Sequence, residues 1–185
     1  MFPTDYEARL VHRFRNGDLR AMETLYDGYL DRAFRFAARL TDSREDAEEV
    51  VQEAFLKTFR KFRQIHPDSD RFGPWLFAVI RSTASDLRRQ LRLPVLSLDS
   101  MESPADGTSP EDIAVVQDQR RRLLQALESL PEDQQIVLTL CDLEEIDHRD
   151  AAVVLGRSLP ATKSLLYRAR RALRDACVTL EITPC

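Results

Sequence analysis

A chain of 185 residues with 43 % hydrophobic content holds one sizeable core or two small ones, and only five glycines interrupt it. No apolar run approaches the length that crosses a bilayer, the opening MFPTDYEARLVHRF is too charged for a secretory signal, and the three cysteines form no CxxC pair, so a cytoplasmic chain without a disulfide framework is expected. A net charge of −4 argues against strong DNA binding by the chain alone, because non-specific affinity comes from neutralising phosphates.

Apolar residues recur at a period near 3.6 almost throughout, which predicts an all-α fold. Tyr6 to Arg15 reads as a short helix with Leu10, Val11 and Phe14 on one side, closed by Asn16 and Gly17. Asp18 caps a second helix, whose stripe of Met22, Leu25, Tyr26, Tyr29, Leu30, Ala33, Phe36, Ala37 and Leu40 runs from Leu19 to Leu40. Ser43 and Asp46 resemble a capping box opening a third helix. Its inner face is Ala47, Val50, Val51, Ala54, Phe55, Thr58, Phe59 and Phe62; Glu45, Glu48, Glu49, Gln52 and Glu53 face outward first, then Lys57, Arg60, Lys61 and Arg63. Acids early and bases late suit the helix dipole, so this pattern alone leaves a solvated face and a binding face both open. Gln64 to Phe72 reads as a loop. Pro74 opens a fourth helix to about Leu91, with Trp75, Leu76, Val79, Ile80, Thr83 and Leu87 inward and Arg81, Ser82, Ser85, Arg88 and Arg89 outward.

Pro94 to Asp118 changes character: three prolines, four serines and six acids, with no Lys or Arg. A free coil of roughly 25 residues averages about 25 to 30 Å end to end and extends to about 80 Å, so it reads as an acidic linker between two helical domains. Beyond it, Leu123, Leu124, Leu127 and Leu130 form one stripe, and Pro131 starts a helix with Ile136, Val137, Leu140 and Cys141 inward.

From Asp147 to Arg174 the pattern is helix, tight turn, helix. Asp147 caps, Ala151, Val154 and Leu155 share a face, and Gly156 suits a left-handed stop. Ser158 offers the next cap, Pro160 is tolerated in the first turn, and Thr162, Leu166, Ala169 and Leu173 recur at helical spacing. The other side carries Lys163, Ser164, Tyr167, Arg168 and Arg171, with no acid between Arg157 and Arg174. A helix in the major groove needs such short polar groups for base edges and cations for phosphates, so this reads as a helix-turn-helix in preference to a solvated basic face.

Three segments in this order, DAEEVVQEAFLKTFRKF at Asp46 to Phe62, FGPWLFAVIRSTASDLRR at Phe72 to Arg89, and LPEDQQIVLTLCDLEEIDHRDAAVVLG followed by TKSLLYRARRAL from Leu130 to Leu173, resemble the extracytoplasmic-function sigma factors of the sigma-70 family. The resemblance implies a region 2 domain over residues 1–92 that binds core RNA polymerase and the minus-10 element, a linker at 93–118, and a region 4 domain over 119–185 that reads the minus-35 element. It places polymerase contacts on Asp46, Glu49, Gln52 and Glu53. It places minus-10 contacts on His66, Asp68, Ser69, Asp70, Arg71, Arg81, Ser82 and Arg88, and minus-35 contacts on Ser158, Lys163, Ser164, Tyr167, Arg168 and Arg171. It also implies control by an anti-sigma factor.

Departures from the family pattern fall on promoter-facing positions. Pro160 and Ala161 replace the usual glycine and threonine, Leu165 a frequent arginine, and Ser82 a common asparagine. Leu165 can meet a thymine methyl, a partner or its own core. A stand-alone helix-turn-helix regulator is the alternative function. An enzyme has little support, since His12, His66 and His148 are scattered, no glycine-rich phosphate loop is present, and Cys141 with His148 lacks further ligands; no metal or cofactor is expected.

Overall fold

The structure is a computed structural model that describes residues 4–65, 71–91, 119 and 121–179. Its chain divides into two compact units, Met1–Met101 and Glu102–Cys185. The dividing point falls in the expected linker, which lies outside the described residues.

Four helices build the first unit: α1 (Thr4–Arg15), α2 (Leu19–Ala37), α3 (Arg44–Ile65) and α4 (Phe72–Leu91). Local chemistry sets the starts of α2 and α3. Gly17, at φ 91°, carries the chain out of α1, and Asp18 Oδ1 then accepts from the amides of Arg20 at 3.0 Å and Ala21 at 3.3 Å. The Arg13 guanidinium, hydrogen-bonded to the same carboxylate, holds Asp18 below the ordinary range. Ser43 Oγ accepts from the Asp46 amide at 3.0 Å and opens α3.

The core of this unit has a cluster of aromatic rings at its centre, packed among aliphatic side chains. Phe36, Phe72 and Phe77 are fully buried, with Tyr29, Phe14 and Phe55 beside them. Phe72 lies 5.5 Å from the Tyr29 ring and 5.6 Å from Phe59, and Phe36 meets Phe77 edge-on at 5.2 Å.

Several boundaries differ from expectation. The second helix stops at Ala37 and Leu40 is buried from a turn, because the Arg39 and Leu40 amides donate three residues back, to the Phe36 and Ala37 carbonyls, and tighten the chain out of the α-helix. Gln64 and Ile65 continue α3, where a loop was expected, and α4 starts at Phe72, two residues before Pro74. The inward row of α4 is Phe72, Leu76, Phe77, Ile80, Thr83 and Ala84, because the helix packs with these residues against α2 and α3; Trp75, Val79 and Leu87, expected inward, are half-buried.

In the second unit, residues 121–128 form α5, followed by α6 (Glu132–Leu138), which runs into a π-turn at Thr139–Leu143, then α7 (His148–Leu155) and α8 (Leu159–Thr179). Its core is aliphatic: Leu127, Leu130, Ile136, Val137, Leu140, Ile146, Val154, Leu155, Leu165 and Leu166, filled in by Ala126, Ala151 and Ala169. Leu123, expected inward, is 46 % exposed, and Ala126 takes the buried position on α5 instead. The described residues contain helices and no strand, so the chain is all-α as expected.

Candidate nucleic-acid and partner interfaces

The second unit holds a helix-turn-helix. Asp147 Oδ1 accepts from the Arg149 amide at 2.8 Å and starts α7; Gly156, at φ 63° and ψ 34°, stops it, with the Arg157 amide reaching back to the Ala152 carbonyl at 3.0 Å. Ser158 then faces the first turn of α8, its Oγ 3.4 Å from the Ala161 amide and its carbonyl accepting from Thr162. The helix divides cleanly by face. Thr162, Leu165, Leu166 and Ala169 are buried, while Lys163, Ser164, Tyr167, Arg168 and Arg171 are exposed, Tyr167 to 68 %. Leu165 is 5 % exposed and therefore belongs to the unit's own core.

Two cations next to this row face away from it. Arg170 donates to both oxygens of Asp142 in the π-turn, at 3.1 and 2.5 Å, a bidentate bond that raises the pKa of the guanidinium further. Arg157 pairs with Asp133 at the start of α6. Sequence reading leaves both inside one basic block; the signal that separates them is the helical angle of Arg170 and the two acids waiting on α6 and its π-turn. Together they hold the recognition helix to the rest of the unit at both ends of its exposed row.

In the first unit, Arg81, Ser82 and Arg88 share the outer side of α4, Ser82 exposed and both arginines half-exposed. Arg71 directly precedes α4 and is half-exposed. His66, Asp68, Ser69 and Asp70 lie outside the described residues. Of the residues expected to meet polymerase, Glu49, Gln52 and Glu53 are exposed along α3 and Asp46 is half-exposed in its first turn. Lys57 Nζ sits 2.8 Å from Glu53 and 3.3 Å from Thr83 Oγ1, tying the acidic face of α3 to α4 across a shallow groove. Leu56, 50 % exposed, lies on this face one turn beyond Gln52, a position that sequence reading passes over.

Among the described residues no cluster of three or more His, Cys, Asp or Glu could hold a metal ion, and no helix is long and apolar enough to cross a membrane. Cys141, expected in the core, is half-buried; burial first, then the neighbouring Asp142, pushes its thiol up to about 11. Cys177 is also half-buried, and Cys185 lies outside the described residues.

Residues 25–93 match the family described as Sigma-70 region 2, and residues 120–173 match Sigma-70, region 4. The ECF RNA polymerase sigma factor SigE of Mycolicibacterium smegmatis is 32 % identical over 165 residues, covering 86 % of this chain and 63 % of that protein. The ECF RNA polymerase sigma-E factor of Escherichia coli is 28 % identical over 174 residues, covering 89 % of this chain and 90 % of its own. The fold resembles that of the sigma factor RpoE of Bartonella quintana, solved in complex with the anti-sigma factor NepR, with a TM-score of 0.66 and 24 % identity over 83 % of this chain and 94 % of that one. With both regions matched in order and each resting on its own helical unit, the chain belongs to the extracytoplasmic-function group of the sigma-70 family.

Proposed function

We propose that the chain is a dissociable sigma subunit that brings core RNA polymerase to a restricted set of promoters and helps open them, working in the cytoplasm where polymerase is, with no catalysis of its own. The observation that carries this reading is the split of α8: an aliphatic face packed into its own unit and an outward row of Lys163, Ser164, Tyr167, Arg168 and Arg171. Such a row suits a minus-35 duplex, since an α-helix fits the major groove and cations meet phosphates on its rims. An arginine bidentate to guanine contributes about 1 to 3 kcal/mol of discrimination, whereas a lysine on phosphate strengthens all sequences alike.

The exposed acids Glu49 and Glu53, with Gln52 and Asp46, form the surface for core polymerase, where complementary charge speeds and orients association. The outer side of α4, with Arg71 and residues 66–70 before it, engages the minus-10 element as its strands separate; capturing an unpaired base offsets some of the unstacking cost. The chain's negative overall charge fits a protein that binds promoters well only within the larger assembly. An anti-sigma protein holding the chain inactive is the regulatory counterpart, in keeping with the partner named for the Bartonella relative.

The test is transcription of a promoter library by purified bacterial core polymerase with the chain supplied or omitted. The sigma reading expects specific transcripts only when the chain is present. If the chain alone selects a DNA site while polymerase is neither bound nor redirected, the stand-alone regulator replaces it.

A further inference from the structure

Glu7 occupies the inward row of α1 with Leu10, Val11 and Phe14, and only 6 % of it is exposed. A carboxylate on a core-facing row of a helix needs strong polar partners. Its partner here is the start of another helix: Oε1 accepts from the Phe72 amide at 2.8 Å and from the Gly73 amide at 3.1 Å, both buried contacts. These are among the opening amides of α4 that find no acceptor inside their own helix, and they lie at the positive end of its dipole.

Tyr29 of α2 closes the same site. Its ring packs on Phe72, and burial, followed by the charge of Glu7 and a hydrogen bond to it, pushes the phenol far above its ordinary pKa, so it stays protonated. Gly73 leaves room for this ring, since a Cβ there would stand 2.6 Å from Tyr29 Oη.

The caps of α2, α3 and α7 come from Asp18, Ser43 and Asp147, each directly before its helix. A local cap fixes where a helix starts. A carboxylate supplied by a separate, packed helix also fixes where that start lies against the rest of the domain. Moreover, α1 precedes residues 25–93, the stretch matched to Sigma-70 region 2.

We propose that Glu7 is a positioning residue for promoter opening: by holding Phe72 and Gly73 it sets the axial position and rotation of α4, and with them the places where Arg81, Ser82 and Arg88 meet the minus-10 strand. This rests on the sigma reading of α4. Ser82 and Arg88 lie about 13 and 22 Å along the helix from Gly73, and a slip of one residue moves such groups by about 1.5 Å and turns them by about 100°. Strand capture has to offset unpairing, so it is the step most sensitive to that placement.

The test compares full-length wild type, Glu7→Gln and Glu7→Ala with purified core polymerase on a promoter that the wild type selects. Each is supplied on intact duplex and on the same promoter with its minus-10 segment pre-opened by mismatches, with polymerase affinity measured in parallel. Glu7→Ala is expected to lose roughly tenfold or more of open-complex formation on the duplex, the low end of what orphaning two buried amides costs. It should come within about threefold of wild type on the pre-opened template, where unpairing has already occurred. Its affinity for polymerase should not change, and Glu7→Gln, which keeps an acceptor but no charge, should fall between. Wild-type behaviour of Glu7→Ala on both templates overturns the proposal. So does an equal loss on both templates with weakened polymerase binding, which assigns Glu7 to folding alone. A wild-type chain for which no promoter can be selected with core polymerase overturns the sigma reading itself.

Discussion

Each unit holds out one helix that is proposed to meet DNA, and the two do so by different means. In the first, α4 is anchored from within: its opening amides bond to a buried carboxylate 65 and 66 residues away, amid a cluster of aromatic rings. In the second, α8 is held by an aliphatic face packed into the core and, outside that core, by two solvent-facing ion pairs, Arg157 with Asp133 and Arg170 with Asp142. The difference matches the tasks proposed for them. The helix proposed to help separate DNA strands has its first turn fixed by a carboxylate from another helix, whereas the one proposed to lie in an intact groove needs the right face outward.

That contrast can be broken first at the two cores. Phe72→Ala removes a fully buried ring that touches Tyr29 and Phe59, and should cost about 3 to 5 kcal/mol in urea unfolding. Leu140→Ala, in the aliphatic core, should cost about 2 to 4 kcal/mol. A Phe72 variant that melts like wild type would mean that the aromatic cluster does not hold α4.

Gly73→Ala sharpens the same point at smaller scale. Alanine gains at most about 1 kcal/mol in helix propensity, less in a first turn. Its Cβ, 2.6 Å from Tyr29 Oη and 2.9 Å from Cε1, meets a ring that is 4 % exposed, so overpacking of about 1 to 3 kcal/mol should win and the variant should be less stable.

The outer anchors should matter least to stability. Asp142→Asn weakens the bidentate contact with Arg170, but that guanidinium is 53 % exposed, so less than about 1 kcal/mol is expected, shrinking further with added salt. Cys141 marks the neighbouring π-turn chemically. With its thiol raised from the ordinary 9.0 to about 11, only about one in a thousand is thiolate near pH 8, so alkylation at Cys141, followed by peptide mapping, should be slow in the folded chain and should quicken on unfolding.

Much of the second unit was legible in the sequence because its determinants are local. Asp147, Gly156 and Ser158 punctuate the helix-turn-helix within a dozen residues of one another, and the outward row of α8 follows from period alone. Leu165 stayed open because it sits beside the narrow stripe of Thr162, Leu166 and Ala169; packing of α6 against α8 widens that stripe to include it. In the first unit the start of α4 was misplaced for the opposite reason. Pro74 is a good local start signal, but the acceptor for the Phe72 and Gly73 amides comes from α1, where no local pattern shows it. The inward face was misjudged separately, since packing on both α2 and α3 widens it to take in Phe77 and Ala84. Glu7 itself left a trace, a carboxylate three residues ahead of Leu10 on an apolar row.

The proposed division of labour is that α3 recruits polymerase while α8 chooses the upstream sequence. The measurement that tests it most directly is promoter-library transcription by core polymerase with Glu49→Lys on one side and Lys163→Ala with Arg168→Ala on the other. Glu49→Lys is expected to weaken polymerase binding and lower all transcripts together with the promoter ranking kept, and the α8 pair to leave polymerase binding intact while relaxing the preference near minus-35. Loss of polymerase binding by the α8 pair, or an unchanged upstream preference, would contradict it.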